Sequence, residues 1–217
     1  MAERIVSPDR QRGRPRGNQR ADVPEELIRA LRETLAQKPA HEITVREIAA
    51  SAGTSPEMVR YYFNGKDGLI SALLDESLQR VQARLRKLQA DVAAARDGHT
   101  HLIVACLCAL YLEERESGKL FNSEFARARP FRDTTERIRR SDTIVEVLHR
   151  LLCELVQRGT YRSSLDPARM AILIMSLTGC PVRLLDTLED RWIDERRLGD
   201  PAWIVEIVRM VEAGCLA

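Results

Sequence analysis

Only four histidines occur in 217 residues, and their positions argue against a metal centre. His99 and His101 stand two apart at the start of a helical segment, so they face apart, with no cysteine or carboxylate at zinc spacing. The five cysteines, Cys106, Cys108, Cys153, Cys180 and Cys215, are odd in number and form no CxxC pair. They read as reduced and mostly buried thiols, and nothing nearby marks a reactive thiolate. No HExxH, GxSxG, phosphate-cradling glycine loop or dinucleotide fingerprint is present. Glu113, Glu114 and Glu116 read as the solvated end of a helix rather than as paired catalytic acids. An enzyme is therefore a poor expectation, and no cofactor or metal is expected.

Long hydrophobic runs are also missing. The longest, LIVACLCALYL at 102–112, is too short to cross a bilayer and suits a buried helix. The N-terminus carries arginines but no apolar signal-peptide core, so a cytoplasmic protein without membrane association is expected. β-alternation of any length, internal repeats and low-complexity tracts are absent apart from one basic arm. That leaves an all-α protein. Charged residues are 30% and apolar residues 44%, ordinary values for a chain long enough to bury one or two cores.

The net charge of +2 matters for its placement. Residues 1–20 hold six arginines against Glu3 and Asp9. Residues 1–66 hold twelve Lys/Arg against nine Asp/Glu, whereas the remainder has 22 against 23. The positive charge thus lies at one end, where a polyanion would be met.

Thr44 to Leu69, TVREIAASAGTSPEMVRYYFNGKDGL, carries the densest set of local signals. Thr44 with Glu47 three residues on predicts a capping box. Ile48, Ala49 and Ala52 give the helix a small apolar face, and Gly53 predicts its end. Ser55-Pro56-Glu57 predicts the start of a second helix, with a serine N-cap, proline at N1 and an acid in the first turn. Val59, Tyr62 and Phe63 would form its buried face. Thr54, Glu57, Met58, Arg60 and Tyr61 remain for a surface that could enter a major groove. Upstream, Arg12-Gly13-Arg14-Pro15-Arg16 resembles the core of an AT-hook, whose extended arginines suit a narrow A·T-rich minor groove.

On these residues, 24–74 resemble the N-terminal domain of the tetracycline-repressor (TetR) family of bacterial transcription regulators. The pattern T-V-R-E-I-A-x-x-A-G-x-S followed by Y-Y-F-x-x-K-x-x-L is matched without a gap from Thr44 to Leu69. Leu35 and Pro39 stand where the family usually has phenylalanine and glycine, Asn64-Gly65 replaces a common Pro-Ser, and Arg60 replaces a common tyrosine. The Arg60 change alters the reading surface, so the operator cannot be borrowed from a relative. The resemblance implies an all-helical homodimer: a disordered basic arm (1–21), a helix-turn-helix domain (22–66) and a helical ligand-binding and dimerisation domain (67–217). It implies double-stranded DNA with a palindromic operator and a small-molecule effector as partners. Thr44, Ser55, Tyr61 and Lys66 match positions that hold the DNA backbone, and Arg60 is the candidate for guanine.

Beyond residue 66 the periodicity predicts helices over Asp67 to about Arg96, His99 to about Glu116, Lys119–Arg129, Thr134–Arg158, from Asp166-Pro167, and from Asp200-Pro201. Gly98, Gly118, Pro130, Gly159 and Pro181 are expected to break or kink them. Apolar positions on the inner helices, with a few polar handles, are nominated to line an effector pocket: Leu107, Leu110, Tyr111, Phe121, Phe125, Phe131, His149, Leu152 and Met175. Ile172, Met175, Leu184, Trp203, Ile207, Val208 and Val211 are nominated for the dimer interface. A repressor released by its ligand is the leading expectation. An architectural DNA-binding protein using the same reader and arm is the alternative.

Overall fold

In the computed structural model, residues 22–123, 143–185 and 195–215 are described, and within them every regular element is helical. Helix α1 (Val23–Leu35) opens with Pro24 and two acids in its first turn and buries Leu27, Ala30, Leu31 and Leu35. It stops four residues before Pro39. A single 3-10 turn (Ala40–Glu42) leads to α2 (Val45–Ser51), then α3 (Pro56–Phe63). These helices pack on one another and on the first turns of α4 (Lys66–Ala94), a 29-residue helix. At 1.5 Å per residue α4 is about 43 Å long, enough to run from one core into the next.

The first core joins Leu27, Leu31, Ile43, Ile48 and Val59 to Leu69, Ile70, Leu73 and Leu74 of α4. It therefore extends past residue 66, and it also takes Leu120. Gly68 is required here for space: a Cβ would lie 1.7 Å from the Phe63 carbonyl oxygen. No side chain other than hydrogen lets the start of α4 fold so closely over the end of α3.

The second core is built around α5 (His99–Glu113), which is apolar on nearly every side and packs against α4, α8 (Pro167–Leu184) and α10 (Pro201–Cys215). Helices α6 (Arg115–Ser123), α7 (Ile144–Gln157) and α9 (Glu195–Gly199) complete the described chain. Inside this core the Thr100 and Tyr161 hydroxyls bond at 2.8 Å, so burial leaves neither unpaired.

Several sequence-based boundaries shift. Gly118 lies inside α6 and breaks nothing, because that helix starts at Arg115, directly after the α5 C-cap Glu114. The helix expected from Thr134 has its described start at Ile144, where Thr143 and Glu146 form a second capping box. Pro181 sits within α8, which continues to Leu184. Glu113 is exposed, but Glu114 and Glu116 are not a solvated helix end; their side chains are 11% and 17% exposed and both are ion-paired.

Candidate nucleic-acid interface

The α2–turn–α3 unit is held by backbone bonds that its sequence specifies. The Thr44 hydroxyl accepts the Glu47 N–H at 3.3 Å, and the Glu47 carboxylate accepts the Thr44 N–H at 2.8 Å. At the other end Gly53 takes φ +63°, with Gly53 N–H on the Ala50 carbonyl (3.1 Å) and Thr54 N–H on the Ala49 carbonyl (2.8 Å). This is the Schellman closure that a left-handed glycine permits. Lys38 Nζ donates to the same Glu47 carboxylate at 2.5 Å. Lys38 first, then the Thr44 backbone and hydroxyl, lower the Glu47 pKa to about 2.

Ser55 has the extended dihedrals of an N-cap, yet its hydroxyl makes no capping bond to the backbone. It donates to Glu57 instead, and with Glu57's own N–H it holds that carboxylate below its usual range. Val59 is fully buried, Tyr62 and Phe63 are half-buried, and Glu57, Arg60 and Tyr61 are exposed. Tyr61 is 76% exposed, an unusual position for a large aromatic ring, and stacks edge-on against Tyr62 with centroids 4.9 Å apart. Thr44 and Ser55 are exposed at the two N-caps, and Thr54 is half-buried in the turn between the helices. One guanidinium, one phenol and one carboxylate thus lie exposed on α3, with the Ser55 hydroxyl at its N-cap and the Thr44 hydroxyl at that of α2. Lys66 is half-buried, and its ammonium donates to the Ala40 carbonyl, tying the start of α4 to the 3-10 turn. Arg12, Arg14 and Arg16 lie outside the described residues.

The nominated pocket residues separate. Leu107, Leu110 and Leu152 are buried in the second core, with Tyr111 and Met175 packed at its edge. The Tyr111 ring lies against Gly179 of α8, where a Cβ would come within 2.9 Å of it. Its hydroxyl is buried and has no hydrogen-bond partner among the described residues, and burial raises its pKa. His149 is a correction. It is exposed, because α7 turns Val147, Leu148, Leu151, Leu152 and Leu155 inward and leaves His149 on the opposite face. There its Nε2 sits 3.6 Å from the Cys153 sulfur, an i,i+4 contact that their spacing could have disclosed. Phe125, Phe131 and the Phe121 side chain lie outside the described residues.

The nominated dimer positions also separate. Ile207 and Val211 are 2% and 1% exposed in the single chain, so they belong to its own core and have no surface left for a partner. Trp203, Val208 and Met175 pack partly against the same core. Ile172 (61%) and Leu184 (38%) are exposed, as are Leu173 and Met210, which sequence reasoning passed over. Between α8 and α10 runs an apolar groove of about 460 Å³, lined by Ser176, Cys180, Leu184, Trp203, Glu206 and Met210 among others. Cys180 is exposed there, unlike the buried Cys108, whose thiol burial pushes up to about 11. No described helix is long and apolar enough to cross a membrane.

Residues 27–73 match the family described as bacterial regulatory proteins, tetR family. The chain is 36% identical over 77 residues to the HTH-type transcriptional regulator BetI of Brucella canis, covering 36% of this chain and 37% of that one. The match thus spans little more than a third of that curated relative. In structure it is similar to a TetR transcription regulator from Haloarcula marismortui, with a TM-score of 0.68 at 18% identity, covering 91% of this chain and all of the other. It is also similar to the transcriptional regulator FadR from Bacillus subtilis in complex with stearoyl-CoA, with a TM-score of 0.65 at 17% identity, covering 88% and 98%. At these identities the structural likeness establishes the fold, both halves included.

Proposed function

We propose that this chain, which belongs to the tetR family of bacterial regulatory proteins, is a transcriptional repressor that leaves a palindromic operator when a small molecule binds. The observation that carries this reading is the outer face of α3. Arg60 and Tyr61 project from a helix whose opposite side is anchored by the fully buried Val59, so the reading surface is rigid as well as exposed. A guanidinium there matches the O6/N7 pair of guanine. Tyr61, Thr44 and Ser55 are assigned to phosphate oxygens, the two N-cap hydroxyls turning their single O–H donors from Glu47 and Glu57 to do so, with Thr54 and Glu57 at the margin. Lys66 keeps donors beyond the one it gives to Ala40. Arg12, Arg14 and Arg16 would follow the minor groove beside the site. The chain acts as a regulator and not as an enzyme, in the cytoplasm, where its DNA is.

Two readers in successive major grooves require a dimer, with half-sites about 34–36 Å apart. The exposed Leu184 and Met210 of the α8–α10 groove, with Ile172 exposed on the same α8, support that assembly. The effector site is assigned to the second domain, in the neighbourhood of Tyr111, Leu107 and Met175, where the Tyr111 hydroxyl, without a partner among the described residues, is a polar handle among apolar side chains. The FadR relative is in complex with stearoyl-CoA and another structural neighbour, SmeT, with triclosan, so this fold accepts small molecules.

Selection of duplexes from a random pool, followed by footprinting, tests the reading. A discrete two-half-site sequence is expected. Uniform coverage of any A·T-rich duplex would overturn it in favour of an architectural protein.

A further inference from the structure

Two apolar cores share α4, but a polar interval separates them. The first takes Leu69, Ile70, Leu73 and Leu74, and the second takes Leu85, Leu88 and Val92, with Val81 at its edge. Residues 75–80 of α4 belong to neither core. Across that interval the reader and the second domain are joined by ion pairs. Arg32 Nη2 of α1 donates to Glu76 Oε1 at 3.2 Å. Arg80 donates to the same Glu76 oxygen. Arg80 also holds Glu114 with two bonds, Nε to Oε1 at 2.6 Å and Nη2 to Oε2 at 2.9 Å, and the Ser77 hydroxyl adds a third at 2.6 Å.

Glu114 is a largely buried carboxylate at the junction of two helices. It is the C-cap of α5, at the negative end of that helix's dipole, and its side chain is 11% exposed. The fork of Arg80 and the Ser77 hydroxyl pair both of its oxygens there, and the N-terminus of the helix that follows adds a favourable dipole. The residue after it begins α6, which delivers Leu120 into the first core. Glu114 is thus the corner at which the chain passes from the central helix of the second domain back to the reader. A guanidinium that serves Glu76 and Glu114 at once is directional. It is satisfied in one arrangement of α4 against α5, whereas apolar side chains tolerate sliding. A small displacement of the α5 C-terminus therefore breaks the contact instead of stretching it.

We propose that Arg80 is a positioning residue, the pivot of a relay Arg32–Glu76–Arg80–Glu114 that sets the angle of the α1–α3 reader on the second domain. The proposal rests on the DNA-binding reading above, and it adds which side chains transmit the setting. Neither Arg80 nor Arg32 is among the residues assigned to DNA. The relay is a two-state element: intact, it fixes both readers of a dimer in one relative orientation; broken, it frees them.

Hydrogen exchange on the full chain without DNA supplies the first test. Arg80→Met keeps the aliphatic stem and removes the fork. Exchange at α1–α3 amides should rise about tenfold, while α7 and the middle of α5 keep wild-type protection. Arg32→Met, which leaves Glu114 held, should reproduce the reader effect and guards against a misfolded Arg80 variant. Unchanged exchange in Arg32→Met, or an equal rise over both domains in Arg80→Met, would overturn the proposal. The second test uses the selected duplex cut to one or two half-sites. Arg80→Met should weaken two-half-site binding on the order of threefold to thirtyfold and leave the single half-site unchanged. Equal loss on both duplexes counts against a positioning role. A wild-type chain that selects no duplex refutes the DNA-binding reading itself, and the exchange arm still reports on the relay.

Discussion

Replacing Ile172 and Met210 together with glutamate should convert the proposed dimer to a folded monomer. In the single chain these side chains are 61% and 64% exposed, on the two helices that flank the apolar groove. Complete burial of such a side chain stabilises by about 1.5–3 kcal/mol, so roughly six-tenths of that remains for a partner to supply. Twofold symmetry presents each position twice, giving four copies and about 4–7 kcal/mol in total. Losing that alone weakens association by about three to five orders of magnitude, and four carboxylates left without partners in an apolar seam weaken it further. Sedimentation or light scattering at micromolar concentration measures the change, with far-ultraviolet dichroism to verify the fold and the selected duplex to verify loss of two-site binding. Ile207→Glu is the control on the same helix. That residue is 2% exposed, so its replacement should unfold the second domain rather than dissociate it. A wild-type chain that is monomeric at these concentrations would refute the reasoning, as would a double variant that remains dimeric.

Arg60→Ala should cost about 1–3 kcal/mol at one operator base pair and little elsewhere; equal losses on every sequence variant would reassign Arg60 to phosphate. Because the folded pKa of Glu47 is depressed to about 2 from an ordinary 4.5, its contribution is fully present above about pH 4.5 and disappears as pH falls toward 2. Glu47→Gln should therefore flatten that part of an acid-unfolding curve and leave the curve's shape near pH 7 unaltered. Gly68→Ala should destabilise the reader severely, since its Cβ would overlap the Phe63 carbonyl; a wild-type melting temperature would show that α3 and α4 do not meet so closely. Removing residues 1–20 should reduce affinity most for operators with A·T-rich flanks, and an equal loss with G·C-rich flanks would leave the arm as a nonspecific cationic tail.

What the sequence settled by itself was local. Thr44 with Glu47 and Gly53 after Ala52 define α2, while Asp166-Pro167 marks the start of α8, because each works through bonds to backbone groups within five residues. The inward Val59 and the outward Arg60 and Tyr61 also follow from one turn of helical periodicity. Tertiary structure alone decided which apolar residues are buried within the chain and which are left exposed. Helix α10 is apolar around much of its circumference, so periodicity could not separate the buried Ile207 and Val211 from the exposed Met210. That division depends on where α5 and α8 lie. Glu114 makes the same point for charge. Its neighbours Glu113 and Glu116 suggested a solvated helix end, but its partner Arg80 is 34 residues away and is brought to it only when α4 and α5 pack side by side.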